Sequence, residues 1–362
     1  MKRIGVLGAG QLGRMIGLAG IPLGLEFRFL DPAEDPPAAA VGSVIRAPFH
    51  DAAALDALAD WADVVTYEFE NIPVGAARHL AVRVPVWPPA EALEASQDRL
   101  EEKRFFRALG IPTAPFRAVN GPEDLVAAIA ELGLPAVLKT RRMGYDGKGQ
   151  RVIRPGDDPA AVWEALGPGA LILEGFVDFR REVSSIAVRA IDGTFGCWAL
   201  SENVHRDGIL RRSASPATDA AGIADAAADA MRRLMSTLNY VGVLTVEWFE
   251  TATGLVANEM APRVHNSGHL TIEGAETSQF ENHVRAVAGL PLGSCAPRGY
   301  SGMINIVGVE PDPAAVLAQP DVHLHRYGKS PRPGRKLGHA TVRRDDRASR
   351  DAALDRLDAS IP

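Results

Sequence analysis

The stretch "VGVLTVEWFETATGLVANEMAPR", residues 241–263, carries the most information about the fold of this chain. Two apolar runs flank the turn-forming sequence "TATG", which predicts a β-hairpin. Glu247 and Glu259 lie at similar distances from this turn, so the hairpin would place both side chains on one face. Adjacent carboxylates repel each other unless a cation joins them, and Mg²⁺ is held by a few carboxylates together with substrate phosphates. The alternative, two solvated surface acids, is disfavoured for Glu247 because its strand is apolar.

Polar residues crowd into the loop that follows this hairpin, "APRVHNSGH", residues 261–269. Arg263 carries a fork of donors that suits phosphate or carboxylate. His265, Asn266 and His269 follow closely, but the spacing supplies neither the cysteines nor the carboxylate set of a zinc site. The loop therefore predicts recognition of an anionic substrate rather than a structural metal.

Upstream, the segment "KTRRMGYDGKGQ", residues 139–150, joins two predicted strands. Lys139 ends an apolar strand, where its ammonium group could meet a nucleotide phosphate. Gly144, Gly147 and Gly149 leave backbone N–H groups free to cover phosphate oxygens, and Lys148 adds positive charge. An ordinary hairpin with solvated basic residues is the alternative, although it needs fewer glycines.

Further charged residues occur in three other segments. Glu174 in "ILEGFV" and Glu182 in "REVSS" are either surface acids or contacts to a nucleotide. The basic run "KSPRPGRKLGH", residues 329–339, contains Lys329 and Arg335 among prolines and a glycine that fix a non-helical loop. Such a loop predicts an anion site, with solvated charges as the alternative.

The first segment of the chain resembles a dinucleotide-binding turn. "VLGAGQLGRM", residues 6–15, has Gly8, Gly10 and Gly13 in the G-x-G-x-x-G spacing after a short strand, and Asp31 follows a second strand, "EFRFL". Strands and helices alternate to about residue 89, which is typical of an open parallel α/β sheet. An NAD-dependent oxidoreductase is therefore one interpretation, although it leaves the glutamate pair and the basic loop unexplained.

Length and composition limit the remaining classes. A chain of 362 residues predicts two or three domains, and a net charge of −6 disfavours nucleic-acid binding as the main activity. Cys197 and Cys295 are the only cysteines, so neither a disulfide framework nor a zinc site is expected. No apolar run approaches the ~20 residues of a membrane span, and the chain begins at once with a strand instead of a signal peptide. We expect a cytoplasmic enzyme without membrane partners.

The order of these segments resembles the ATP-grasp fold, in which two α+β lobes hold ATP and Mg²⁺ bridges its phosphates. The motifs "GAGQLGRM", "YEFEN", "GYDGKGQ", "ENVHRDGI", "NEMAPRVHNSGH" and "RPGRKLGH" are similar to those of the N5-carboxyaminoimidazole ribonucleotide synthetase family of purine biosynthesis. The resemblance runs from the first strand to about residue 340. It implies mixed α/β and α+β structure: a Rossmann-like parallel α/β domain at 1–95, an ATP-grasp domain at 96–293 with its glycine-loop lobe at about 116–175, and a small β-rich domain at 294–362.

The resemblance also implies roles for individual residues. The implied ATP-binding set is Arg99, Lys139, Gly144, Tyr145, Asp146, Gly147, Lys148, Gly149, Gln150, Glu174, Gly175, Phe176, Val177, Glu182, His205, Asn258 and Glu259. The implied substrate-binding set is Gly10, Gln11, Leu12, Glu70, Tyr145, Asp146, Lys148, Arg263, His265, Asn266, Lys329 and Arg335, with Glu68 a weaker candidate. Glu247 and Glu259 would ligate Mg²⁺, or alternatively Mn²⁺, and Asp146, Lys148, Arg263 and His265 are the implied catalytic residues.

The implied reaction has two stages. Bicarbonate attacks the γ-phosphate of ATP to give ADP and carboxyphosphate, and the amine of aminoimidazole ribonucleotide then takes the carboxyl group. The glycine turn at residues 8–13 would face the ribose phosphate instead of NAD. Asp146 and His265 remain alternative proton acceptors, and a homodimer is expected from the family alone. Another ATP-grasp carboxylase or transformylase, or a catalytically inactive ATP-binding regulator, would share the nucleotide site.

Overall fold

The computed structural model describes residues 2–144, 147–167 and 169–361. Its strands are β1 Arg3–Leu7, β2 Glu26–Leu30, β3 Ser43–Ile45, β4 Val64–Tyr67, β5 Phe116–Val119, β6 Ala136–Thr140, β7 Gln150–Ile153, β8 Leu171–Gly175, β9 Arg181–Arg189, β10 Phe195–Cys197, β11 Ser201–Arg206, β12 Ile209–Ser215, β13 Gly242–Thr251, β14 Gly254–Ala261, β15 Tyr300–Val307, β16 Val322–Arg326 and β17 Lys336–Arg344. Its helices are α1 Gln11–Gly20, α2 Ala52–Trp61, α3 Val74–Ala81, α4 Ala90–Ser96, α5 Arg99–Ala108, α6 Pro122–Leu132, α7 Pro159–Leu166, α8 Ala221–Thr237, α9 Thr271–Gly274, α10 Gln279–Ala288, α11 Pro313–Val316 and α12 Arg347–Ser360.

The first part of the chain forms a parallel sheet in the order β3-β2-β1-β4. In β1, residues 4–7 are buried, as expected for a strand covered by helices on both faces. Helix α1 begins directly after the glycine turn. The predicted Rossmann-like α/β architecture is confirmed for this part, including the strand "EFRFL".

A second, antiparallel sheet has the order β5-β8-β6-β7, and α6 and α7 pack against it. Lys139 lies near the end of β6, next to the glycine loop that connects to β7. Glu174 lies on β8, which pairs with β6. This sheet therefore places two predicted nucleotide contacts on adjacent strands.

The third sheet is the largest and is antiparallel along its length. Its strand order is β14-β13-β9-β11-β12-β15-β17-β16, and β10 also pairs with β9. The last three strands of the chain extend this sheet, because β15 pairs with β12. The β-rich segment at the end of the chain thus continues the sheet that carries Glu247 and Glu259.

Helix α5 lies between the two antiparallel sheets. Its N-cap is Asp98, whose carboxylate accepts a hydrogen bond from the Leu100 amide at 3.0 Å, and it ends before Gly110, which has a positive φ of 68°. One face of the helix is buried and carries both apolar and charged residues. Among the described residues no helix is long and apolar enough to cross a membrane.

Candidate functional site

The acidic pair predicted from the hairpin is formed. Glu247 and Glu259 lie directly opposite each other on β13 and β14, so both side chains project from the same face of the sheet. Burial and the neighbouring Glu259 charge raise the pKa of Glu247 to about 7. The pair thus carries charge that a cation would stabilise. Two adjacent carboxylates suit an ion that takes its other ligands from substrate oxygens, as Mg²⁺ does.

Arg99 connects this pair to the glycine loop. Its guanidinium donates hydrogen bonds to the carbonyl oxygens of Thr140 at 2.8 Å and Gly144 at 3.3 Å. The same group lies 3.8 Å from the Glu259 carboxylate. A β-carbon at Gly144 would lie 2.4 Å from this guanidinium, so a larger residue there would displace the Arg99 side chain. Arg99 therefore links the glycine loop to the acidic pair.

Glu174 forms a buried ion-pair cluster with two lysines. Its Oε2 atom lies 3.0 Å from the Lys139 ammonium and 3.3 Å from the Lys103 ammonium. Burial alone raises the pKa of Glu174, but the charges of Lys139 and Lys103 outweigh it and hold that pKa at about 2. Its Oε1 atom is buried and finds no hydrogen-bond donor among the described residues. The cluster leaves this oxygen to accept a hydrogen bond from a ligand.

Sequence reasoning missed Lys103. The residue lies on the buried face of α5 with Leu100 and Phe106, at the i, i+3 and i+6 positions of a helix. That spacing could have been read from "RLEEKRFFRA", because a lysine at helical spacing with Leu100 and Phe106 would be buried and would need partners. The identity of those partners depends on the tertiary structure.

Glu182 and His205 lie on the neighbouring strands β9 and β11. The His205 Nδ1 atom is 3.0 Å from a Glu182 carboxylate oxygen. Burial lowers the pKa of His205, but Glu182, Glu247 and Glu259 together raise it above its ordinary value. The pair therefore presents charge and hydrogen-bonding groups close to the acidic pair.

The described part of the glycine loop approaches the turn between β11 and β12. A β-carbon at Gly147, whose φ is +73°, would lie 2.9 Å from the Cα atom of Gly208. Gln150 pairs with Lys139 in the strand register, and Gly149 packs against the Thr140 side chain. Tyr145 and Asp146, two of the predicted site residues, lie outside the described residues.

The segment after Glu174 connects the two lobes. The Gly175 amide donates to the Pro115 carbonyl at 2.8 Å, and the Phe176 amide donates to the Pro135 carbonyl at 3.3 Å. Phe176 is exposed and Val177 is half-buried. The backbone of residues 175–177 thus follows directly after the buried Glu174 carboxylate at the end of β8.

On the other side of the acidic pair, Arg263 and Glu70 form a bidentate ion pair. The Arg263 Nη2 atom donates to Glu70 Oε1 at 2.9 Å, and its Nε atom donates to the second carboxylate oxygen. Burial raises the pKa of Glu70, but the Arg263 charge lowers it below its ordinary value. The structure therefore brings together these two predicted substrate contacts from distant parts of the chain.

His265 lies between this pair and the acidic pair. Its Nε2 atom is 3.4 Å from Glu247 Oε1, and its Nδ1 atom lies 2.9 Å from the Ser267 hydroxyl. Burial, with the nearby positive charges of Arg263 and Lys336, lowers the pKa of His265 well below its usual range. The imidazole is therefore neutral at neutral pH. Both amide atoms of the adjacent Asn266 side chain are buried without a partner among the described residues, so they are available to a ligand.

The glycine turn at the start of the chain encloses a carboxylate of the protein itself. The amides of Gly10 and Gly13 donate to the two oxygens of Glu68, the latter at 2.5 Å. A β-carbon at Gly8 would lie 2.6 Å from Glu68 Cγ, and one at Gly10 would lie 2.6 Å from Glu68 Oε1. Glycine at positions 8 and 10 therefore leaves the space that the Glu68 side chain fills.

Asp31 is also bound to this turn. Its carboxylate accepts hydrogen bonds from the amides of Ala9 and Ala33, each at 2.8 Å. The acid that would hold an NAD ribose is thus used within the protein. Three backbone amides are expected to meet a substrate phosphate. The Gly10 amide is bound by Glu68, whereas the Gln11 and Leu12 amides at the start of α1 are not bound by Glu68.

The basic loop from the end of the chain reaches this turn. The Lys329 ammonium donates to the Gln11 side-chain oxygen. Burial lowers the pKa of Lys329 to about 8, although the Glu68 charge opposes the shift. Arg335 is half-buried, and its guanidinium donates to the Ser330 carbonyl at 3.1 Å. Residues from both ends of the chain therefore surround one potential anion site.

Both cysteines lie away from these residues. Cys197 and Cys295 line a groove of about 440 Å³ beside β10, and both are free. Burial raises the pKa of the two thiols, to about 11 and about 12, so neither is reactive at neutral pH.

Three family models match the chain. The ribonucleotide synthetase preATP-grasp domain matches residues 1–97, the ATP-grasp domain matches residues 104–280, and the phosphoribosylaminoimidazole carboxylase C-terminal domain matches residues 301–353. Together with the charged side chains that the sheets bring together, these matches define the protein as an ATP-grasp ligase.

Relatives over the full length specify the family. The chain is 53% identical to the N5-carboxyaminoimidazole ribonucleotide synthase of Pseudomonas aeruginosa, covering 99% of each chain, and 41% identical to that of Bacillus subtilis, covering 93% of this chain and 90% of the relative. The crystal structure of the Thermus thermophilus synthetase has a TM-score of 0.95 at 54% identity, covering 99% of this chain and 98% of that one. An Aspergillus clavatus synthase in complex with ADP and 5-aminoimidazole ribonucleotide has a TM-score of 0.91 at 31% identity, covering 99% of each chain.

The chain belongs to the N5-carboxyaminoimidazole ribonucleotide synthase family. It is an ATP-grasp enzyme of purine biosynthesis that forms a carbon–nitrogen bond. The resemblance of the sequence motifs is thereby confirmed, and the NAD-dependent oxidoreductase interpretation of the first glycine turn is wrong. The physical reason is that Glu68 and Asp31 occupy the backbone amides that a dinucleotide would need.

Proposed function

We propose that this enzyme uses ATP and bicarbonate to carboxylate the exocyclic amine of 5-aminoimidazole ribonucleotide through carboxyphosphate. One observation carries the proposal: His265, on the side of Glu70 and Arg263, lies 3.4 Å from Glu247 of the acidic pair. The groups suited to a ribonucleotide are thus continuous with the groups suited to ATP phosphates. A reactive intermediate formed at one group would reach the other without crossing bulk water.

The first stage transfers the γ-phosphoryl group of ATP to a bicarbonate oxygen and releases ADP. Arg99 and Lys139 would bind the phosphates, and Glu247 and Glu259 would hold Mg²⁺ with Asn258 beside them. Mg²⁺, when bound, neutralises charge on the phosphoryl oxygens. The glycine loop, with Gly144, Gly147, Lys148, Gly149 and Gln150, would cover the phosphates. Mn²⁺ would satisfy the same oxygen ligands.

The nucleoside of ATP would bind at the edge between the two antiparallel sheets. The free Oε1 atom of Glu174 accepts a hydrogen bond from the adenine amine, and the backbone near Val177 meets the rest of that edge. Glu182, paired with His205, would accept hydrogen bonds from the ribose hydroxyls. Gly175 and Phe176 supply the connecting backbone.

The ribonucleotide would bind among Glu70, Arg263, His265 and Asn266. Its 5-phosphate would take the amides of Gln11 and Leu12 and the charges of Lys329 and Arg335, because a helix N-terminus and basic side chains both favour an anion. The Glu68 carboxylate fixes this turn but excludes Gly10 from direct contact through its amide. This arrangement uses residues from both ends of the chain.

In the second stage the substrate amine attacks the carboxyl carbon of carboxyphosphate or of CO₂ released from it. A carbon–nitrogen bond forms, inorganic phosphate leaves, and one amine proton is lost. The neutral imidazole of His265 is able to accept that proton. Asp146 is the alternative acceptor from the sequence, and Tyr145 is a further proposed substrate contact. We also propose a cytoplasmic homodimer, which rests on the family resemblance.

The test is ATP hydrolysis measured with Mg²⁺ and bicarbonate, with and without 5-aminoimidazole ribonucleotide. Strong stimulation by the ribonucleotide, with one carbamate formed for each ADP, is expected. ATP hydrolysis without stimulation would overturn the assignment of the substrate and direct the search to another acceptor. Omission of bicarbonate provides the control, because carboxyphosphate cannot form without it.

A further inference from the structure

A buried lysine outside the proposed ligand contacts connects the two halves of the ATP site. The Lys103 side chain is about 1% exposed and lies on α5, between the two antiparallel sheets. Its ammonium group donates to the carbonyl oxygens of Asn258 at 2.7 Å and Ala257 at 3.3 Å on β14. It also lies 3.3 Å from Glu174 Oε2 on β8. Three acceptors therefore surround the three ammonium hydrogens.

These contacts determine which Glu174 oxygen is free. Lys103 and Lys139 both approach Oε2, whereas Oε1 is buried without a donor among the described residues. Glu174 is ionised at neutral pH, so Oε1 can only accept hydrogen bonds. A base with an amine at this position would satisfy it, but a base with a carbonyl oxygen would be repelled.

We propose that Lys103 is a positioning residue for base recognition: it fixes the Glu174 carboxylate against β14 so that Oε1 selects a 6-amino purine over a 6-oxo purine. The inference rests on the proposed ATP site and deepens it. Lys139 alone would leave the Glu174 carboxylate free to rotate around a single ion pair. Without Lys103, Glu174 would also neutralise Lys139 more completely and weaken its interaction with phosphate.

The experiment measures binding of ADP and IDP by calorimetry in EDTA, so that neither metal nor turnover contributes. The two nucleotides differ in the 6-amino or 6-oxo group. We expect the wild-type protein to bind ADP at least ~10-fold more tightly than IDP, because the 6-oxo group of IDP leaves the buried Glu174 oxygen without a donor. Lys103→Met should reduce this ratio at least ~5-fold. Arg104→Met is the matched control, because Arg104 is the next residue on α5 and is exposed.

Lys103→Gln, which keeps one donor, serves as a second variant if Lys103→Met does not fold. In a Glu174→Gln background, Lys103→Gln should not change the ADP to IDP ratio further, because both substitutions act on one group. An equal weakening of ADP and IDP would overturn the inference and indicate a purely structural lysine. A wild-type protein that binds ADP and IDP equally would also overturn it. Absence of ADP binding by the wild-type protein both in EDTA and with Mg²⁺ would instead contradict the proposed function.

Discussion

The carboxylate inside the first glycine turn allows a quantitative test of why that turn exists. Glu68 accepts hydrogen bonds from the Gly10 and Gly13 amides, and Gly10, the N-cap of α1, has no side chain that could cap the helix. We consider Glu68→Gln, which preserves the shape of the side chain. Its amide oxygen can still accept one of the two bonds, but its NH₂ group then faces the other N–H group. One buried donor is thus left without an acceptor.

A buried donor that has no acceptor costs about 1–3 kcal/mol of stability, and this sets the expected effect of the substitution. Burial raises the pKa of Glu68 above its ordinary value, although the Gly13 and Gly10 amides oppose the shift. Because the folded pKa lies above the unfolded one, ionisation of Glu68 reduces stability as the pH rises from about 4.5, and the variant removes this cost. We expect the unsatisfied donor to outweigh this relief, which leaves a local loss of about 2 kcal/mol, or a ~30-fold change in an opening equilibrium.

The assay is hydrogen–deuterium exchange followed by mass spectrometry at neutral pH. Peptides covering the turn and the first residues of α1 should exchange ~30-fold faster in Glu68→Gln than in the wild type. Glu26→Gln is the matched control, because Glu26 lies exposed on β2 of the same sheet and should change exchange little. A change below ~3-fold at the turn in Glu68→Gln would refute the claim that the glycine spacing is built around this carboxylate.

Three further predictions concern the proposed site. Glu259→Gln should leave folding intact but lower kcat by ~10²-fold or more, since it removes half of the acidic pair; near-normal turnover at saturating Mg²⁺ would contradict the metal assignment. Arg335→Ala should raise the KM for the ribonucleotide much more than the KM for ATP, and an equal effect on both would place Arg335 elsewhere. Because the pKa of Lys329 is about 8, its positive charge is present below that pH and is lost above it. The kcat/KM for the ribonucleotide should therefore fall as the pH rises through about 8, and Lys329→Met should not show this decrease. An identical pH profile in both proteins would exclude Lys329 as the phosphate contact.

The local part of the site could be predicted from the sequence. The turn "TATG" predicts the β13–β14 hairpin and places Glu247 and Glu259 at similar distances from it, whereas their direct pairing also depends on a register shift between Glu247 and Trp248. Glycine spacing similarly indicated the loop after Lys139. These features follow from neighbouring residues, because strand periodicity and turn geometry act over a few positions.

The first glycine turn shows the limit of such reasoning. Its spacing is that of a dinucleotide-binding turn, but the structure places Glu68, 58 residues beyond Gly10, where the pyrophosphate would lie. The backbone amides require an anion, and the sequence near the turn does not specify whether that anion is a ligand or a distant side chain. Only the position of β4 beside β1 decides it.

The sequence by itself determined the strands, the hairpin with its acidic pair, and, through its motifs, the family. Tertiary structure alone decided that Lys103 meets carbonyl groups 154 and 155 residues away, that Arg263 pairs with Glu70, and that Lys329 reaches Gln11 across 318 residues. The physical reason is that local periodicity is set by backbone geometry. The pairing of buried charges depends instead on which sheets and helices pack together, because each buried charge must find its partners in the folded chain.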